Sequence, residues 1–273
     1  MKFIGFLLII GSFLLASPGS QANDILQGDP LSLSVVTYNI RVGGDNLEGM
    51  LHFLAEKKPD ILLLQEVHGP PFIPRFVNQA EAIANRLSYH YVFGKTRNWL
   101  SGEYGVAIVS RYPLREIEKI PLPNLPGEEP EILLVAQTLT PQGPVWLATV
   151  HLISRSKGKN NRVGELRYQQ ARTILQVLNQ KEGPLIFGGD LNSVGFSRIK
   201  KLFSMSMTDV FQEVGKGRNS TFPSGFPLLR LDYIYVRGSN LKPQTARVWS
   251  NQISDHRPLW SQIELVAPRI AGQ

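Results

Sequence analysis

A carboxylate and a carboxamide follow a short apolar run in residues 185–193, LIFGGDLNS. The run indicates a buried strand, and Gly188 and Gly189 after it predict a tight turn of the backbone. Asp190 and Asn192 stand two positions apart, so an extended chain would point both side chains to the same side. An Asx turn at the end of the strand explains the pair equally well. The other strand ends of the chain decide how this stretch is interpreted.

Polar side chains of similar type occur at the ends of other predicted strands. Each lies at or just beyond an apolar run, except for one aspartate that precedes its run. Catalytic groups usually gather on loops at one edge of a sheet, so this shared placement predicts a single site. A solvated strand end explains any one of these residues, but it does not explain the repeated pattern. The candidates are Asn39, Glu66, His151, Asp190, Asn192, Asp232, Asp255 and His256.

These residue types suit the metal-assisted hydrolysis of a phosphate ester. Asn39, Glu66 and Asp255 offer the oxygen ligands that Mg²⁺ prefers, and Mn²⁺ or Ca²⁺ accepts the same kind of ligand. A bound metal ion would polarise a phosphoryl oxygen and neutralise charge on the leaving oxygen. The sequence has no HExxH or CxxC pattern typical of zinc sites. It also lacks the GxSxG motif of serine hydrolases and the GxxxxGK[ST] motif of phosphate-binding loops.

The remaining candidates suit proton transfer and hydrogen bonding. Asp190 can orient or deprotonate the attacking water. His151 and His256 can donate hydrogen bonds to the phosphoryl oxygens, and Asp232 can fix the tautomer of a histidine. The residues thus divide into a metal-binding group and a water- and phosphate-handling group.

The N-terminal segment predicts that the protein is exported from the cytoplasm. The N-terminus has one lysine and an apolar run that is too short for a membrane-spanning helix, followed by small residues. This pattern predicts a secretory signal peptide over residues 1–22, a mature domain over 23–273, and a periplasmic or secreted location; an uncleaved anchor is the alternative. The chain has no cysteine, so a disulfide framework is excluded. Its formal net charge of +7 favours anionic partners such as nucleic acid or acidic lipid.

Apolar strand runs alternate with helical patterns along the mature chain. Helices are expected at 47–57, 76–87, 162–179 and 196–203, with strands between and after them. Strand-rich halves of this kind predict an α/β fold in which two mixed sheets pack face to face with helices outside. The chain contains no internal repeat and no long linker, which indicates one domain, and we expect a monomer.

Seven motifs occur in the order found in a known superfamily. The chain resembles the endonuclease/exonuclease/phosphatase superfamily, which includes deoxyribonuclease I and the exonuclease III-type enzymes, over about residues 33 to 265. The resemblance implies a four-layer α/β sandwich and metal-dependent hydrolysis of phosphate esters. The motifs are TYNIR (37–41), LLLQEV (62–67), EYGVAIVSRYPL (103–114), ATVHL (148–152), GGDLNS (188–193), RLDYIYV (230–236) and SDHRPL (254–259).

The resemblance also implies roles for the metal- and water-handling residues. Asn39 and Glu66 resemble the metal-site residues of the family, and Asp255 resembles a further ligand. Asp190 matches the aspartate that orients water, and Asn192 matches the asparagine that contacts phosphate.

The histidines and two further residues complete the implied site. His256 matches the histidine of the terminal motif, with Asp232 as its carboxylate partner, and His151 matches the second histidine of deoxyribonuclease-like members. Arg41 is similar to the deoxyribonuclease I form of the first motif, and Tyr104 matches a tyrosine that contacts phosphate.

Three functions remain open at the level of sequence. The first is an exported phosphodiesterase acting on nucleic acid, with the basic segment 155–172 as a rail for the phosphate backbone. The second is the same chemistry on a phospholipid or small phosphoester, with Phe222 and Phe226 contacting lipid. The third is a catalytically silent binding module, which is disfavoured because every expected polar position is occupied.

Overall fold

The computed structural model describes residues 29–43, 46–73, 77–99, 102–154 and 162–267. The expected signal peptide, residues 1–22, lies outside these ranges, as does the 155–161 portion of the expected basic rail. Within the described ranges, no helix combines the length and apolar character needed to cross a membrane.

Strands supply most of the regular structure in the described chain. Several of them are apolar on both faces, as expected for strands that are covered by sheet on one side and helix on the other. In chain order they are β1 (Leu31–Asn39), β2 (Ile61–Pro71), β3 (His90–Trp99), β4 (Gly102–Ser110), β5 (Leu114–Pro121), β6 (Ile132–Thr140), β7 (Gly143–His151), β8 (Leu185–Asp190), β9 (Thr208–Asp209), β10 (Asp232–Arg237), β11 (Leu241–Val248) and β12 (Leu259–Leu265).

Helices occupy the connections between these strands. The side chain of Asn46 accepts a hydrogen bond of 2.7 Å from the backbone N–H of Gly49 and so caps the first helix. The helices are α1 (Leu47–Lys57), α2 (Gln79–Leu87), α3 (Val163–Asn179), α4 (Arg198–Ser204) and α5 (Val210–Val214), and a short 3₁₀ turn (Arg41–Gly43) follows β1.

The strands form two mixed sheets of six strands each. The first sheet has the order β11-β12-β1-β2-β4-β3, and the second has the order β5-β6-β7-β8-β10-β9. Parallel pairs lie at the centre of each sheet, β1 with β2 and β7 with β8, while the flanking pairs are antiparallel. The carboxyl ends of the four parallel strands are therefore the places where polar side chains can meet.

Apolar residues fill three interfaces between four layers. One cluster, which includes Leu63, Ile108 and Ile186, lies between the inner faces of the two sheets. A second packs α3 and α4 on the outer face of the second sheet, and a third packs α1 and α2 on the outer face of the first. The predicted four-layer α/β sandwich is confirmed.

The structure departs from the sequence-based expectations at three strands. Gly188 and Gly189 make no turn; they lie within β8 and pair with β7 and β10. β2 extends well beyond the apolar run 61–64 that predicts it, because it continues through a bulge to Pro71. β5 was not predicted at all, since one of its faces is exposed and polar and its sequence lacks an apolar run.

The glycine of β8 next to the site is required for close backbone approach. A Cβ atom on Gly189 would lie 2.2 Å from the carbonyl oxygen of Val150 in the neighbouring strand. We expect Gly189→Ala to lower the free energy of unfolding by about 1–3 kcal/mol or more, because the backbone atoms it meets cannot rotate away.

The matched control for this substitution is Gly195→Ala, where an added Cβ has no neighbour within 4 Å. That variant should stay within about 0.5 kcal/mol of the wild type. Urea unfolding of both variants measures the difference, and equal stabilities would contradict the close approach.

Candidate active site

The predicted polar residues meet at the carboxyl edge of the central strands. Asn39 ends β1, His151 ends β7, Asp190 ends β8 and Asp232 begins the antiparallel β10. Asp190 is directly paired with His151 on one side and with Asp232 on the other. Asp190 therefore lies at the centre of the second sheet's contribution to the site.

Asn39 connects the two sheets at this edge. Its Nδ2 donates to Glu66 Oε1 at 3.0 Å and to Asp190 Oδ2 at 3.1 Å. Its Oδ1 accepts a hydrogen bond of 3.1 Å from the backbone N–H of Arg41. The buried carboxamide thereby sets the spacing between a carboxylate of the first sheet and a carboxylate of the second.

A β-bulge directs Glu66 towards the site. The pairing of β2 with β4 shifts register between Leu64 and Val67, and Glu66 has a φ of 53°. A glutamate in the left-handed region is uncommon, and bulges often re-aim a side chain beside an active site. The Glu66 carboxylate reaches the partly exposed centre of the site, with Oε1 at 3.8 Å from His151 Nε2.

Asn192 lies beside Asp190 through an Asx turn, not through an extended strand. Its backbone N–H donates to Asp190 Oδ1 at 2.8 Å, and its φ is 45°. Its side-chain Nδ2 lies 2.8 Å from the carbonyl oxygen of Leu152 and 3.0 Å from His151 Nε2. The extended geometry expected for this pair is therefore wrong, and the Asx turn itself brings Asn192 beside Asp190 and His151.

His256 and Asp232 form a buried pair. His256 Nδ1 lies 2.8 Å from Asp232 Oδ2, and His256 Nε2 lies 3.5 Å from Asp190 Oδ2. Burial opposes the charged imidazole, but Asp232 and the other nearby carboxylates raise the pKa of His256 to about 10. The imidazolium form is therefore favoured at neutral pH, with its Nε2–H available beside Asp190. The ring of Phe222 packs on this histidine with ring centroids 4.8 Å apart.

His151 faces a second buried carboxylate that the sequence analysis missed. Glu131 Oε1 lies 3.6 Å from His151 Nδ1, while His151 Nε2 lies 3.6 Å from Asp190 Oδ2. Burial raises the pKa of Glu131 to about 8, and the nearby His151 opposes this rise. Glu131 lies immediately before β6 at the end of an acidic, proline-containing loop, so its sequence context resembles an ordinary surface turn.

Electrostatic repulsion and burial act together on the central aspartate. Burial is the main cause that raises the pKa of Asp190, and Asp232 adds to it. The two histidines and the backbone N–H of Asn192 oppose the rise. A carboxylate with a raised pKa is a better acceptor for a proton from water than an ordinary aspartate.

The site offers an environment that fits a divalent cation. Glu66 and Asp255 supply carboxylate oxygen atoms, and Asp232 Oδ1 is buried without a hydrogen-bond partner among the described residues. The predicted ligand Asn39 instead turns its amide nitrogen towards Glu66 and its oxygen towards the N–H of Arg41. Asp190, Asp232 and His256 also have possible ligand atoms within 4.8 Å of one another. The 2.8 Å contact of His256 Nδ1 with Asp232 shows that two members of that cluster already form a hydrogen-bonded pair.

The two predicted phosphate-contacting residues occupy different environments. Arg41 has a side chain that is 64% exposed, and its Nε lies 3.8 Å from Asp255 Oδ2. Tyr104 is buried, with the guanidinium of Arg97 4.4 Å from its ring centroid. Burial raises the pKa of Tyr104, and the negative charge of Glu66 adds to the rise, so the hydroxyl stays protonated. The structure thus brings Tyr104 near Glu66 and leaves Arg41 facing solvent.

The motif around Asp255 is attached to the first sheet and to the loop that carries Phe222. Ser254 Oγ donates to the backbone carbonyl of Asn39 at 2.8 Å. The backbone N–H of Ser224 donates to the carbonyl of Asp255 at 2.7 Å, which joins this motif to the loop that carries Phe222. These contacts fix the position of Asp255 and His256 without using their side chains.

Comparison with known proteins places this geometry in context. Uncharacterized protein YbhP of Escherichia coli (strain K12) is 28% identical over 260 residues, which cover 88% of this chain and 99% of YbhP. The mannosyl-6-phosphatase of Bacteroides thetaiotaomicron VPI-5482 has a similar fold, with a TM-score of 0.70, 18% identity, and coverage of 85% of this chain and 99% of that chain.

A structure with bound DNA also has a similar fold. D. rerio TDP2 complexed with single strand DNA product has a TM-score of 0.64 and 22% identity, covering 85% of this chain and 98% of that chain. The identities to both solved structures are low, so these likenesses establish the fold alone. The family model described as Endonuclease/Exonuclease/phosphatase family matches residues 36–256, and the chain belongs to that family.

Proposed function

We propose that this protein is a divalent-metal-dependent phosphodiesterase that acts on nucleic acid. Enzymes of its family generally hydrolyse phosphate esters with the help of divalent metals. The observation that carries the proposal is the placement of two histidines, His151 and His256, on either side of Asp190, each with Nε2 within 3.6 Å of the Asp190 carboxylate. A water-activating carboxylate flanked by two imidazoles suits attack on a phosphorus atom.

Asp190 activates the attacking water in this proposal. Asn39 and the backbone of Asn192 each donate a hydrogen bond to it, one to each carboxylate oxygen. These donors fix the carboxylate plane, while burial raises its pKa and increases its ability to take a proton. Asp190 therefore both orients the water and accepts its proton.

His256 stabilises negative charge on the phosphoryl oxygens. Asp232 accepts from Nδ1, which leaves Nε2–H as the free donor of the imidazolium. A charged donor that is already oriented needs no rearrangement as charge develops, which is the condition for strong electrostatic stabilisation. Without Asp232, the His256 ring would lose the hydrogen bond that orients it and the carboxylate that stabilises its positive charge.

Glu66 and Asp255 would hold the metal ion, with Mg²⁺ as the first choice and Mn²⁺ or Ca²⁺ as alternatives, and Asn39 would orient the Glu66 carboxylate through its amide nitrogen. When bound, the ion supplies charge neutralisation at the phosphate and its leaving oxygen. Glu66 is well suited because the bulge at its position leaves the carboxylate partly exposed at the site.

Nucleic acid is the proposed substrate class because the exposed charge near the site is basic. Arg41 lies at the edge of the site with most of its side chain in solvent, and the chain has a net charge of +7. The DNA-bound TDP2 structure shares the fold and lends support. Arg167, one of the expected rail residues, instead donates to the backbone oxygens of Ile153 and Ser154. Any rail must therefore depend on other residues of 155–172.

A second candidate substrate is a phospholipid, favoured by exposed apolar side chains on loops that leave the site. Phe196 is 94% exposed four residues after Asn192, and Phe226 is 70% exposed in the loop that begins at Phe222. Leu228 in the same loop is 65% exposed. Apolar side chains at the rim of a phosphate site can insert between lipid headgroups and bring the ester bond to the site.

Export is part of the proposal. Residues 1–22 carry the features of a cleaved leader, so the mature protein should begin near Asn23. Intact-mass measurement of the protein recovered from the periplasm or medium tests this. An intact Met1 in the membrane fraction would instead identify the segment as an anchor.

Two variants separate water activation from metal binding. Asp190→Ala should lower kcat by at least about 10³-fold at every Mg²⁺ concentration, because it removes the acceptor of the water proton. Glu66→Gln should weaken metal binding, so high Mg²⁺ should restore part of its activity. The assay is hydrolysis of bis-p-nitrophenyl phosphate over a Mg²⁺ titration.

The thermal midpoint provides the control for folding in this comparison. Asp190→Ala should keep the wild-type midpoint, because Asp190 is an unfavourably placed buried charge. Asp209→Ala, which unpairs the buried Arg230, should cost about 3–5 kcal/mol of stability. If high Mg²⁺ restored the activity of Asp190→Ala, Asp190 would be a metal ligand and not the water-activating residue. If high Mg²⁺ failed to restore any activity of Glu66→Gln, Glu66 would not be a metal ligand.

The substrate class is tested by offering both polymers and lipid. Wild-type protein should cleave plasmid DNA or RNA at low salt, with activity falling steeply as salt is added. Phe226→Ser should leave this cleavage unchanged. If the protein cleaved phospholipid vesicles but neither DNA nor RNA, and Phe226→Ser reduced that cleavage, the phospholipid would be the substrate. If the protein hydrolysed only the small diester, both candidate substrates would be rejected.

A further inference from the structure

The start of β10 lies beyond the reach of its short neighbouring strand. β9 pairs with β10 only at Tyr235 and Val236, so it does not cover Asp232, the residue that begins β10. Leu231 and Asp232 are both buried, and a buried backbone N–H that lacks an acceptor is costly. Another group must therefore accept from the backbone at this point.

The side chain of Thr221 supplies that acceptor. Its Oγ1 accepts a hydrogen bond of 3.1 Å from the N–H of Leu231 and one of 3.3 Å from the N–H of Asp232. A hydroxyl oxygen has two lone pairs, so one threonine can accept both bonds. Thr221 is completely buried, so its hydroxyl belongs to the packed structure behind the site and not to the surface.

The same segment also holds His256, the partner of Asp232. The backbone carbonyl of Thr221 accepts a 2.7 Å hydrogen bond from the N–H of Arg257, the residue after His256. The ring of Phe222 packs on the His256 ring with centroids 4.8 Å apart. Two consecutive residues therefore contact both members of the Asp232–His256 pair.

We infer that Thr221 is a positioning residue that fixes the start of β10 and thereby aims the Asp232 carboxylate at His256. Asp232 Oδ2 lies 2.8 Å from His256 Nδ1, and His256 Nε2 lies 3.5 Å from Asp190 Oδ2. Thr221 thus acts on the central aspartate only through Asp232 and His256. The effect on catalysis rests on the proposed phosphodiesterase function, whereas the placement of Asp232 does not.

The loop that follows Thr221 is closed at its base, which keeps the threonine in place. The N–H groups of Thr221 and Phe222 both donate to the carbonyl of Leu229, at 2.8 and 2.9 Å, and the N–H of Leu229 donates back to Phe222. Arg257 Nε donates to the carbonyl of Ser224 at 2.7 Å, which attaches the loop to the terminal motif. The base of this loop is therefore a fixed support for Asp232.

Two substitutions separate the hydroxyl oxygen from the shape of the side chain. Thr221→Val keeps the shape and removes the acceptor, whereas Thr221→Ser keeps the acceptor. With bis-p-nitrophenyl phosphate, Thr221→Val should lower kcat about 10–10²-fold with little change in KM, because the catalytic pair loses its alignment. Thr221→Ser should keep kcat close to the wild-type value.

The matched control is Thr138→Val, at a buried threonine far from the site. The Thr138 hydroxyl lies 2.9 Å from Ser110 Oγ, and Thr138 pairs with Val145 near the start of the strand that ends at His151. Thr138→Val should lower the thermal midpoint but keep kcat. An equal fall in kcat in this control, or in Thr221→Ser, would overturn the inference.

Amide hydrogen exchange of the full mature chain, followed by NMR, tests the placement without substrate. In the wild type the amides of Leu231 and Asp232 should exchange as slowly as those in the ladder between β8 and β10. Thr221→Val should lose this protection and Thr221→Ser should keep it. Rapid exchange of both amides in the wild type would overturn the inference, and this result does not depend on whether Thr221→Val folds.

Crystal structures of the two variants test the last step. The separation of Asp232 Oδ2 and His256 Nδ1 should increase in Thr221→Val and stay near the wild-type value in Thr221→Ser. An unchanged separation in Thr221→Val would show that Thr221 does not position the pair. A wild-type protein that hydrolyses no diester but gives the expected exchange and structures would contradict the proposed function and support the placement of Asp232 by Thr221.

Discussion

The active edge of this protein depends on one carboxamide that joins two sheets. Asn39 donates to Glu66 within the first sheet and to Asp190 in the second, so both hydrogen bonds require a fixed separation of the sheets. The packed apolar layer between the sheets sets that separation. A buried bridge from Gln65 to Thr149 at 2.9 Å reinforces it one residue away. Core packing therefore determines the geometry of the chemistry, although no core side chain takes part in it.

Buried negative charge is the cost of this arrangement. Asp190 and Asp232 are directly paired across neighbouring strands, and their repulsion adds to the effect of burial on Asp190. The imidazolium of His256 offsets part of this charge. Glu66 lies on the open side of the site, where a cation can offset more. The excess of buried negative charge would destabilise an apolar core. Here the same excess attracts a metal ion and raises the proton affinity of the carboxylates.

Sequence patterns predicted candidate residues that the fold brings together, because several of them, such as Asn39, His151 and Asp190, stand at the end of an apolar strand. They also indicated the layer order, since strands buried on both faces have continuous apolar runs. They could not reveal the bulge that re-aims Glu66, because register between β2 and β4 depends on residues forty positions apart. Glu131 was missed for a related reason: its partner lies twenty residues later, and only strand pairing brings them together. The glycines of β8 were wrongly assigned to a turn, because glycine is favoured both in tight turns and in strands where a Cβ atom would clash with a neighbouring backbone.

Chemistry and specificity are separated in the architecture of this protein. The candidate proton acceptors, donors and metal ligands are held at strand ends by hydrogen bonds within and between the two sheets, so they tolerate little movement. The residues that could choose a substrate, such as Arg41, Phe196 and Phe226, lie on exposed loops and make few of these bonds. Changes in the loops can therefore alter which phosphate ester enters without disturbing Asp190. This separation explains how a chain with a fully occupied catalytic edge can share its fold with proteins as different as a sugar phosphatase and a DNA-bound enzyme.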